Sequence, residues 1–359
     1  MNEKLNTTDI LTKLPNLKYF RRFSQKVLDN AFERQKGLVF IHFDVKNFRL
    51  FNYLNGFDES DFLLAHISDI ISNTFPEFCV ARYLNDKFIV LAYNNDIEKR
   101  IKIVGNSVTF FKNTEKIVIE AGVYVVPCQS QETSSHAQNC AEIACNSVKD
   151  SEKIHFAYYN SELAKREELK RHIIKSIDEP DTQDYIKVYY QPIVHVLSRK
   201  ICAYEALARW EDPEFGFLSP ADFIGVLEDA RLIHKLDVFI LRKVCAQLRI
   251  SKDYGFPIVP VSINLSALDF QVLNMPEFAS EALKINNLPT NLLNIEITER
   301  ALGENRKEIY NVLEKFKRNG FEIWLDNFGS KYSSLNVLEE NVCRFIENRQ
   351  TFSAKFPYK

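Results

Sequence analysis

Hydrophobic and polar positions in the first 160 residues follow two periods, one typical of strands and one typical of helices. Short apolar or β-rich runs predict strands. The predicted strands cover residues 37–45, 79–84, 87–93 and 116–127. Asn85 and Asp86 tolerate the left-handed backbone of a tight turn, so they predict a hairpin. Because amphipathic helical stretches fill the spaces between strands, we expect an α+β fold.

The second half alternates more regularly between apolar runs and helical patterns. The predicted strands cover residues 187–194, 201–210, 259–267, 292–300 and 322–328. Continuous apolar strands that alternate with helices predict a parallel α/β arrangement. The charged helical pattern over residues 161–177 predicts a connecting helix. We therefore expect a first domain over 1–160, a connecting helix over 161–178, a second domain over 179–341 and an anomalous tail over 342–359.

Polar residues come late in four predicted strands of the second half. They are Glu205, Asn264, Glu296 and Asp326. In a (β/α)8 barrel the carboxyl ends of the strands form the active-site face. Oxygen-bearing side chains that converge there are ligands for hard cations such as Mg²⁺ or Mn²⁺. The alternative is that the four residues are unrelated, solvated strand ends.

The composition narrows the choice of partners. Apolar residues make up 46% and charged residues 26% of the chain, and the net charge is −2. Without a basic block, a nucleic-acid partner has no electrostatic support. No apolar run approaches the ~18 residues of a membrane span, and the start of the chain lacks signal-peptide character. The seven cysteines are scattered, which favours free thiols in a reducing cytoplasm.

The second half resembles the EAL family of cyclic-di-GMP phosphodiesterases. The motifs that carry the resemblance are YYQPIV, EALARW, SPADFI, INLSA, NIEITER and LDNFGSKYSSL, over about residues 185–340. The resemblance implies an α/β EAL domain with a TIM-like barrel. Proteins in which a GGDEF domain precedes an EAL domain are common in bacteria. A resemblance of the first half to the GGDEF family would therefore support the EAL resemblance of the second half.

The EAL resemblance assigns roles to individual residues. It implies Glu205, Asn264, Glu296 and Asp326 as ligands of Mg²⁺ or Mn²⁺, Gln191 and Arg209 as contacts of cyclic-di-GMP, Glu299 as a loop-stabilising acid, and Glu205, Asp326 and Asn327 as the catalytic group. Asn327 stands where the family has a second acid, and an amide lacks the charge that retains a second cation. Lys331 replaces a glycine of the loop that follows.

The first half resembles the GGDEF family of diguanylate cyclases, with a nucleotidyl-cyclase-like fold around a central antiparallel sheet. The matching segments are TDILTKLPNLKYF, FDVKNFRLFNYLNGFDESD and RYLNDKF. The resemblance implies Asp44 as a metal ligand, Asn52 and Asp61 as the guanine-reading pair, and Asp86 and Lys87 as degenerate motif positions. Because Lys87 reverses the charge of a metal-binding glutamate, we expect no cyclase activity. GTP binding through Asn52 and Asp61 would be weak, and the alternative is that both residues only suit the fold.

The segment CRFIENRQT (343–351) stands where the EAL family has a strand that reads roughly VDxLKID. Counted without gaps, Glu347 and Arg349 take the places of its lysine and aspartate. We therefore expect an EAL barrel that is C-terminally incomplete and has two unpaired edges. The alternative to an abnormal tail is a diverged, shortened barrel.

Three functions follow from these expectations. The first is a regulatory protein that has lost catalysis and binds cyclic-di-GMP, weakly GTP, or a protein partner, including a second copy as a homodimer. The second is an active phosphodiesterase that hydrolyses cyclic-di-GMP to linear pGpG. The third is a remnant without a function of its own.

The tail has a specific test at the level of the gene. One set of A/T-rich codons that would encode residues 343–351 is TGC AGA TTT ATT GAA AAT AGA CAA ACT. Shifted by one nucleotide, they read Ala-Asp-Leu-Leu-Lys-Ile-Asp-Lys, which restores the family motif. We predict that the tail is frameshifted and that the gene carries such codons. Codons whose neighbouring frame does not spell LKID would leave the diverged barrel as the explanation.

Overall fold

The central strand of the first sheet, β1 (Leu38–Val45), is buried over its whole length in the computed structural model of the chain. Helices on both faces of the sheet exclude water from the strand, which explains why six of its eight residues are apolar. The structure describes residues 7–109, 117–129, 131–149, 155–195, 197–298, 306–326 and 345–347.

Five helices and five strands form the described part of the first unit. The helices are α1 (Leu17–Asp29), α2 (Ala31–Gln35), α3 (Phe48–Thr74), α4 (Ile97–Val108) and α5 (Ser134–Asn146). The strands after β1 are β2 (Cys79–Leu84), β3 (Lys87–Tyr93), β4 (Ile119–Val125) and β5 (Phe156–Tyr158). The sheet order is β2-β3-β1-β4-β5, and all pairs except β4–β5 are antiparallel. The predicted α+β fold and the hairpin between β2 and β3 are confirmed.

Alternate residues of β1 supply two separate cores. Ile41 and Phe43 pack in the cluster that includes α3 and α4, whereas Phe40 packs with Phe20 of α1 and Ala141 of α5. Each face of the sheet therefore has its own helix layer, and the end of β1 that carries Asp44 lies between them.

A helix lies between the two halves of the chain. It is α6 (Ser161–Ser176). The chain divides into two compact units, Met1–Glu167 and Glu168–Lys359, and the division falls inside this helix.

The second unit alternates helices with mostly parallel strands. Its helices are α7 (Thr182–Tyr185), α8 (Pro220–Asp229), α9 (Ile233–Asp253), α10 (Asp269–Val272), α11 (Met275–Ile285) and α12 (Arg306–Arg318). Its strands are β6 (Ile186–Val194), β7 (Ile201–Asp212), β8 (Gly216–Leu218), β9 (Val261–Asn264), β10 (Leu293–Thr298), β11 (Glu322–Asp326) and β12 (Phe345–Glu347). The order is β12-β11-β10-β9-β7-β6, with β8 beside β7.

Two details differ from the sequence expectation. The first two predicted strands, β6 and β7, pair antiparallel, because the connection 195–200 is too short for the crossover that parallel strands need. Glu205 lies inside β7 rather than near its end, since β7 continues to Asp212 by pairing with β6 and β8. The other pairs, β7–β9, β9–β10, β10–β11 and β11–β12, are parallel as predicted.

One face of the second sheet is apolar and packs against helices. Ile263, Ile295 and Leu325 are buried in one cluster with Leu241 of α9 and Leu313 of α12. The free energy of this contact comes mainly from apolar area removed from water, at about 25 cal/mol per Å². Successive side chains of a strand point to opposite faces of the sheet. The polar side chains of these strands therefore lie on the other face.

Neither spanning helices nor disulfides occur among the residues that the structure describes. No helix there combines the length and the apolar character that crossing a membrane requires. Six of the cysteines lie in this part of the chain, and all six are free thiols.

Gly122 in β4 lies where α5 approaches the sheet closely. A methyl group at this position would collide with the carbonyl oxygen of Ala141 and the backbone nitrogen of Cys145. We expect Gly122→Ala to destabilise the first unit by about 3 kcal/mol or more, because backbone atoms cannot yield as a side chain can. Gly105→Ala is the matched control: nothing lies within 4 Å there, and alanine should stabilise α4 by about 0.5–1 kcal/mol.

Urea titrations of the full chain would measure both variants. Trp210 and Trp324 are the two tryptophans and both lie in the second unit, so tryptophan fluorescence reports that unit alone. For Gly122→Ala, the far-UV circular dichroism transition should begin at lower urea while the fluorescence transition stays in place. Equal stability of Gly122→Ala and the wild type would contradict the close packing.

Candidate functional site

The register of the second sheet places its predicted polar residues on one face. Glu205 of β7 is opposite Gln191 of β6 and Ser262 of β9, while Asn264 of β9 is opposite Glu296 of β10. Residues two apart on a strand point to the same face, and paired residues share a face. Gln191, Glu205, Asn264 and Glu296 therefore share the face opposite the apolar one.

Arg209 and Asp326 occupy register positions that continue this pattern. Arg209 lies four residues beyond Glu205 on β7, so it is on the same face. Its guanidinium lies 5.7 Å from the centre of the Tyr189 ring, and its Nη1 donates to the carbonyl oxygen of Ala208 at 2.7 Å. Asp326 is opposite Thr298, two residues beyond Glu296, in the backbone register.

Two buried glutamates accept hydrogen bonds on this polar face. Glu205 and Glu296 are each 1% exposed. The Asn264 amide donates from Nδ2 to Glu205 Oε1 at 3.0 Å, and the Ser262 hydroxyl donates to Glu296 Oε2 at 3.0 Å. These bonds offset part of the cost of burying the carboxylates and restrain their orientation.

The polar face has the donor chemistry of a divalent-cation site. Glu205 and Glu296 offer carboxylate oxygens and Asn264 offers an amide oxygen, which are the ligands that Mg²⁺ and Mn²⁺ prefer. Among the residues that the structure describes, no group of three or more His, Cys, Asp or Glu side chains is placed to hold a metal ion. On this face Glu205 and Glu296 offer two acidic ligands, and Asn264 offers a third, neutral oxygen. Any further ligand would have to come from a position whose side chain the structure does not describe.

Three predicted positions of the second half fall outside the described residues. They are Glu299, Asn327 and Lys331, and the Asp326 side chain belongs with them. Residues 345–347 of the anomalous tail form β12, where Glu347 is opposite Asp326 in the register. The roles and the origin proposed for these segments stay predictions.

A carboxyl cluster under the loop after β9 is absent from the sequence prediction. The backbone N–H of Ser266 donates to Asp269 Oδ2 at 2.8 Å, and its hydroxyl donates to Glu228 Oε1 at 2.9 Å. Burial raises the pKa of Asp269 to about 6. Burial, and then the neighbouring Asp269 carboxyl, raises the pKa of Asp237 well above its ordinary value.

This cluster restrains the loop that directly follows Asn264. Its members come from three helices: Glu228 from α8, Asp237 from α9 and Asp269 from α10. The sequence carries two signals for it. Ser266 and Asp269 have the spacing of a helix capping box, and Asp237 is an acid within an apolar helical segment.

The first unit contains a cleft of about 920 Å³ near the end of β1. The cleft is lined by all five residues predicted from the first half: Asp44, Asn52, Asp61, Asp86 and Lys87. The structure therefore brings these positions together, although they come from three separate segments of the chain.

Lysine side chains neutralise two buried carboxylates and one half-buried carboxylate in and beside this cleft. The ion pairs are Lys149 Nζ with Asp44 Oδ2 at 2.8 Å, Lys46 Nζ with Glu120 Oε1 at 3.1 Å, and Lys87 Nζ with Glu142 Oε1 at 2.7 Å. Sequence reasoning identified Asp44 and Lys87 but missed their partners, which lie far along the chain on other elements.

The cleft of the first unit does not fit the divalent cation that the family resemblance implies. The ammonium group of Lys149 lies against Asp44, the expected ligand. Burial, and then the proximity of Asp44, raises the pKa of Asp86 above its ordinary value. A cation there would have to displace Lys149 and would meet Lys87 opposite Asp44 in the strand register.

The expected guanine-reading pair is only partly available. The Asn52 amide oxygen accepts a hydrogen bond from the Ser60 hydroxyl at 3.1 Å. Asp61 is exposed at the mouth of the cleft. A base at this position would have to compete with Ser60 for Asn52, which is consistent with weak binding.

Comparison with protein families matches both halves. Residues 6–154 match the model described as diguanylate cyclase, GGDEF domain, and residues 175–350 match the model described as EAL domain. The two matched segments are consecutive along the chain, and α6 lies at the junction between them.

Similar proteins extend over nearly the whole chain. The cyclic di-GMP phosphodiesterase NbdA of Pseudomonas aeruginosa is 28% identical over 357 residues, which cover 97% of this chain and 46% of NbdA. The signaling protein YkoW of Bacillus subtilis is 27% identical, over 92% of this chain and 42% of YkoW. This chain thus spans less than half of each relative.

One solved structure shares the fold of both units. It is the S helix–GGDEF–EAL segment of LapD from Vibrio cholerae, bound to c-di-GMP, with a TM-score of 0.59 and 18% identity. The alignment covers 96% of this chain and 82% of that segment. At this identity the likeness is evidence for the fold alone.

The ion pair between Lys149 and Asp44 has a testable consequence for metal binding. We expect Asp44→Asn to leave the Mn²⁺ bound per chain unchanged, because an ammonium group already neutralises this carboxylate. Titration of the full chain followed by electron paramagnetic resonance would measure it. A loss of bound Mn²⁺ in this variant would contradict the expectation.

A gain-of-site variant provides the matched control. Lys149→Met combined with Lys87→Glu removes the ammonium group beside Asp44 and places an acid opposite Asp44 in the register. The double variant should bind one additional Mn²⁺ per chain.

Proposed function

Because the chain belongs to the GGDEF and EAL families, with one domain of each in tandem, we propose that it acts in cyclic-di-GMP signalling and binds cyclic-di-GMP through its EAL unit. The observation that supports this most is the shared face of Gln191, Glu205, Asn264 and Glu296 in the second sheet. The name of the relative NbdA, a cyclic di-GMP phosphodiesterase, points to the same ligand.

We propose distinct roles for the residues on this face. Arg209 binds a phosphate of the ligand, since a guanidinium matches two phosphate oxygens, and Gln191 binds through its amide. Glu205, Asn264, Glu296 and Asp326 are the proposed ligands of Mg²⁺ or Mn²⁺. Such a cation, when bound, polarises a phosphoryl oxygen and lowers the pKa of a bound water.

We propose that this chain is a binding or regulatory protein rather than an efficient phosphodiesterase. Asn327 replaces an acid of the family motif, so the proposed catalytic group of Glu205, Asp326 and Asn327 has one negative charge fewer. The alternative function is hydrolysis of cyclic-di-GMP to linear pGpG. It is favoured by the polar face itself, where Glu205, Asn264 and Glu296 are all in place.

We propose that the GGDEF unit has no diguanylate cyclase activity and binds GTP weakly through Asn52 and Asp61. The lysine ion pairs of its cleft and the hydrogen bond from Ser60 to Asn52 support this proposal. A cytoplasmic location completes the proposal, because the six described cysteines are free thiols, as in a reducing compartment.

Calorimetric titration of the full chain with cyclic-di-GMP tests the proposed ligand. Arg209→Ala should weaken binding by about 10- to 100-fold, since a charge-assisted contact to phosphate is worth about 1.5–3 kcal/mol. Arg318→Ala is the matched control. Arg318 ends α12, before the start of β11, so it lies at the opposite edge of the sheet and should not matter.

The same titration separates the functional alternatives when it is paired with a turnover assay. Binding without production of linear pGpG in Mg²⁺ or Mn²⁺ supports the regulatory function. Turnover that is lost on chelation and in Glu205→Gln would establish the phosphodiesterase instead. If the folded chain does not bind at high micromolar ligand, cyclic-di-GMP is not its ligand.

A further inference from the structure

Two carboxyl groups, those of Asp237 and Asp269, meet beneath the loop that follows Asn264. Asp269 is fully buried, and its Oδ2 accepts a hydrogen bond from the Ser266 backbone N–H at 2.8 Å. Its other oxygen, Oδ1, is also buried, and no backbone N–H, amide or alcohol group among the described residues donates to it. The Asp237 carboxyl lies within hydrogen-bonding reach of Asp269. A proton carried by Asp237 therefore satisfies the pair.

The charges around this pair are negative. Glu228 of α8 acts on both carboxyls, and it accepts a hydrogen bond from the Ser266 hydroxyl at 2.9 Å. In the part of the chain that the structure describes, none of Glu228, Asp237 and Asp269 forms an ion pair with a lysine, arginine or histidine. Adjacent carboxylates that lack both water and a cation repel each other, so the pair retains a proton.

The pKa of Asp269 gives the direction of the pH effect. Burial raises this pKa to about 6, from an ordinary value of 3.8. A carboxyl whose pKa is higher in the closed cluster than in water takes up a proton when the cluster closes. Closing is therefore most favourable below about pH 4, and this advantage is lost as the pH rises through about 6. The raised pKa of Asp237 acts in the same direction.

The loop connects the pair to the polar face of the second sheet. Ser266 is two residues beyond Asn264, whose amide donates to Glu205 Oε1 at 3.0 Å. Between them, the Leu265 backbone N–H donates to the carbonyl oxygen of Glu296 at 2.9 Å. A cluster that holds Ser266 firmly therefore also restrains the Asn264 side chain at the end of β9.

We propose that Asp237 and Asp269 are positioning residues that make the order of the loop after Asn264 depend on protons. When the pair is fully protonated, the cluster closes on Ser266 and holds Asn264 in place. Each proton lost adds a buried negative charge beside Glu228 and favours opening to water. Asp237 is partly exposed, so protons reach the buried Asp269 through it.

The consequence for cyclic-di-GMP rests on the proposed function of the EAL unit. Asn264 lies on the face that is proposed to bind this ligand, and a loosened loop leaves its amide less well oriented. The affinity for cyclic-di-GMP should therefore rise as the pH falls.

Hydrogen exchange of the segment 262–270 in the full chain tests the loop itself. Protection, expressed relative to the intrinsic exchange rates, should increase at least about tenfold in the wild type from pH 7.5 to pH 5, as a pKa difference of about two units requires. In Asp269→Asn it should change less than about threefold, because an amide keeps the hydrogen bonds to Ser266 and Asp237 but does not ionise.

Asp222→Asn is the matched control. Asp222 accepts a hydrogen bond from the backbone N–H of Ser219 at 2.8 Å, with the same spacing as Asp269 and Ser266, but it is exposed. This variant should keep the pH dependence of the wild type. Asp237→Asn is a second test of the pair, since its amide donates to Asp269 in place of the shared proton, and it should also reduce the pH dependence. Circular dichroism would establish that the variants fold.

Calorimetric titration with cyclic-di-GMP at pH 7.5 and pH 5.5, in EDTA, tests the consequence for binding. The wild-type dissociation constant should be about three- to tenfold lower at pH 5.5. Asp269→Asn should bind at both pH values about as tightly as the wild type does at pH 5.5, while Asp222→Asn should follow the wild type.

The outcomes separate this proposal from the proposed ligand. Wild-type protection that does not change with pH, or an equal change in Asp269→Asn, would overturn the positioning role. An affinity that is the same at both pH values would overturn its effect on the ligand. If the chain binds no cyclic-di-GMP at either pH, the proposed ligand is wrong, and hydrogen exchange then decides the positioning role by itself.

Discussion

The parallel pairing of β9 with β7 and β10 is the constraint on which the proposed site of the second unit depends. A shift of one residue in either pairing would turn the glutamates towards the helices and an apolar side chain to the polar face. The apolar face prevents this shift, because Ile263 and Ile295 bury their side chains against α9 and α12. Helix packing thus keeps Glu205, Asn264 and Glu296 together.

The two units treat buried carboxylates in different ways. In the second unit, Glu205 accepts a hydrogen bond from an amide and Glu296 accepts one from a hydroxyl. In the first unit, Lys149 and Lys46 place positive charges against Asp44 and Glu120. A carboxylate that is paired with an ammonium group needs no cation. The cleft of the first unit is therefore unsuited to a divalent cation beside Asp44.

The fold could be predicted well where local patterns decide it. The hairpin over Asn85 and Asp86, the connecting helix and the alternation of the second half all follow from the period of the apolar residues. The predicted parallel direction of β6 is wrong, because its apolar pattern is the same in parallel and antiparallel pairs. Only the short connection to β7 decides between them.

The sequence by itself determined which residues could carry chemistry: its motifs single out Glu205, Asn264 and Glu296, and the charge reversal at Lys87. Only the tertiary structure decided their partners. Lys149 is remote from Asp44 in sequence and reaches it because α5 packs on the sheet at Gly122. Likewise, Asp237 meets Asp269 because α10 packs against α9. Ion pairs and carboxyl pairs are set by distances in space, which the order of residues along a chain does not contain.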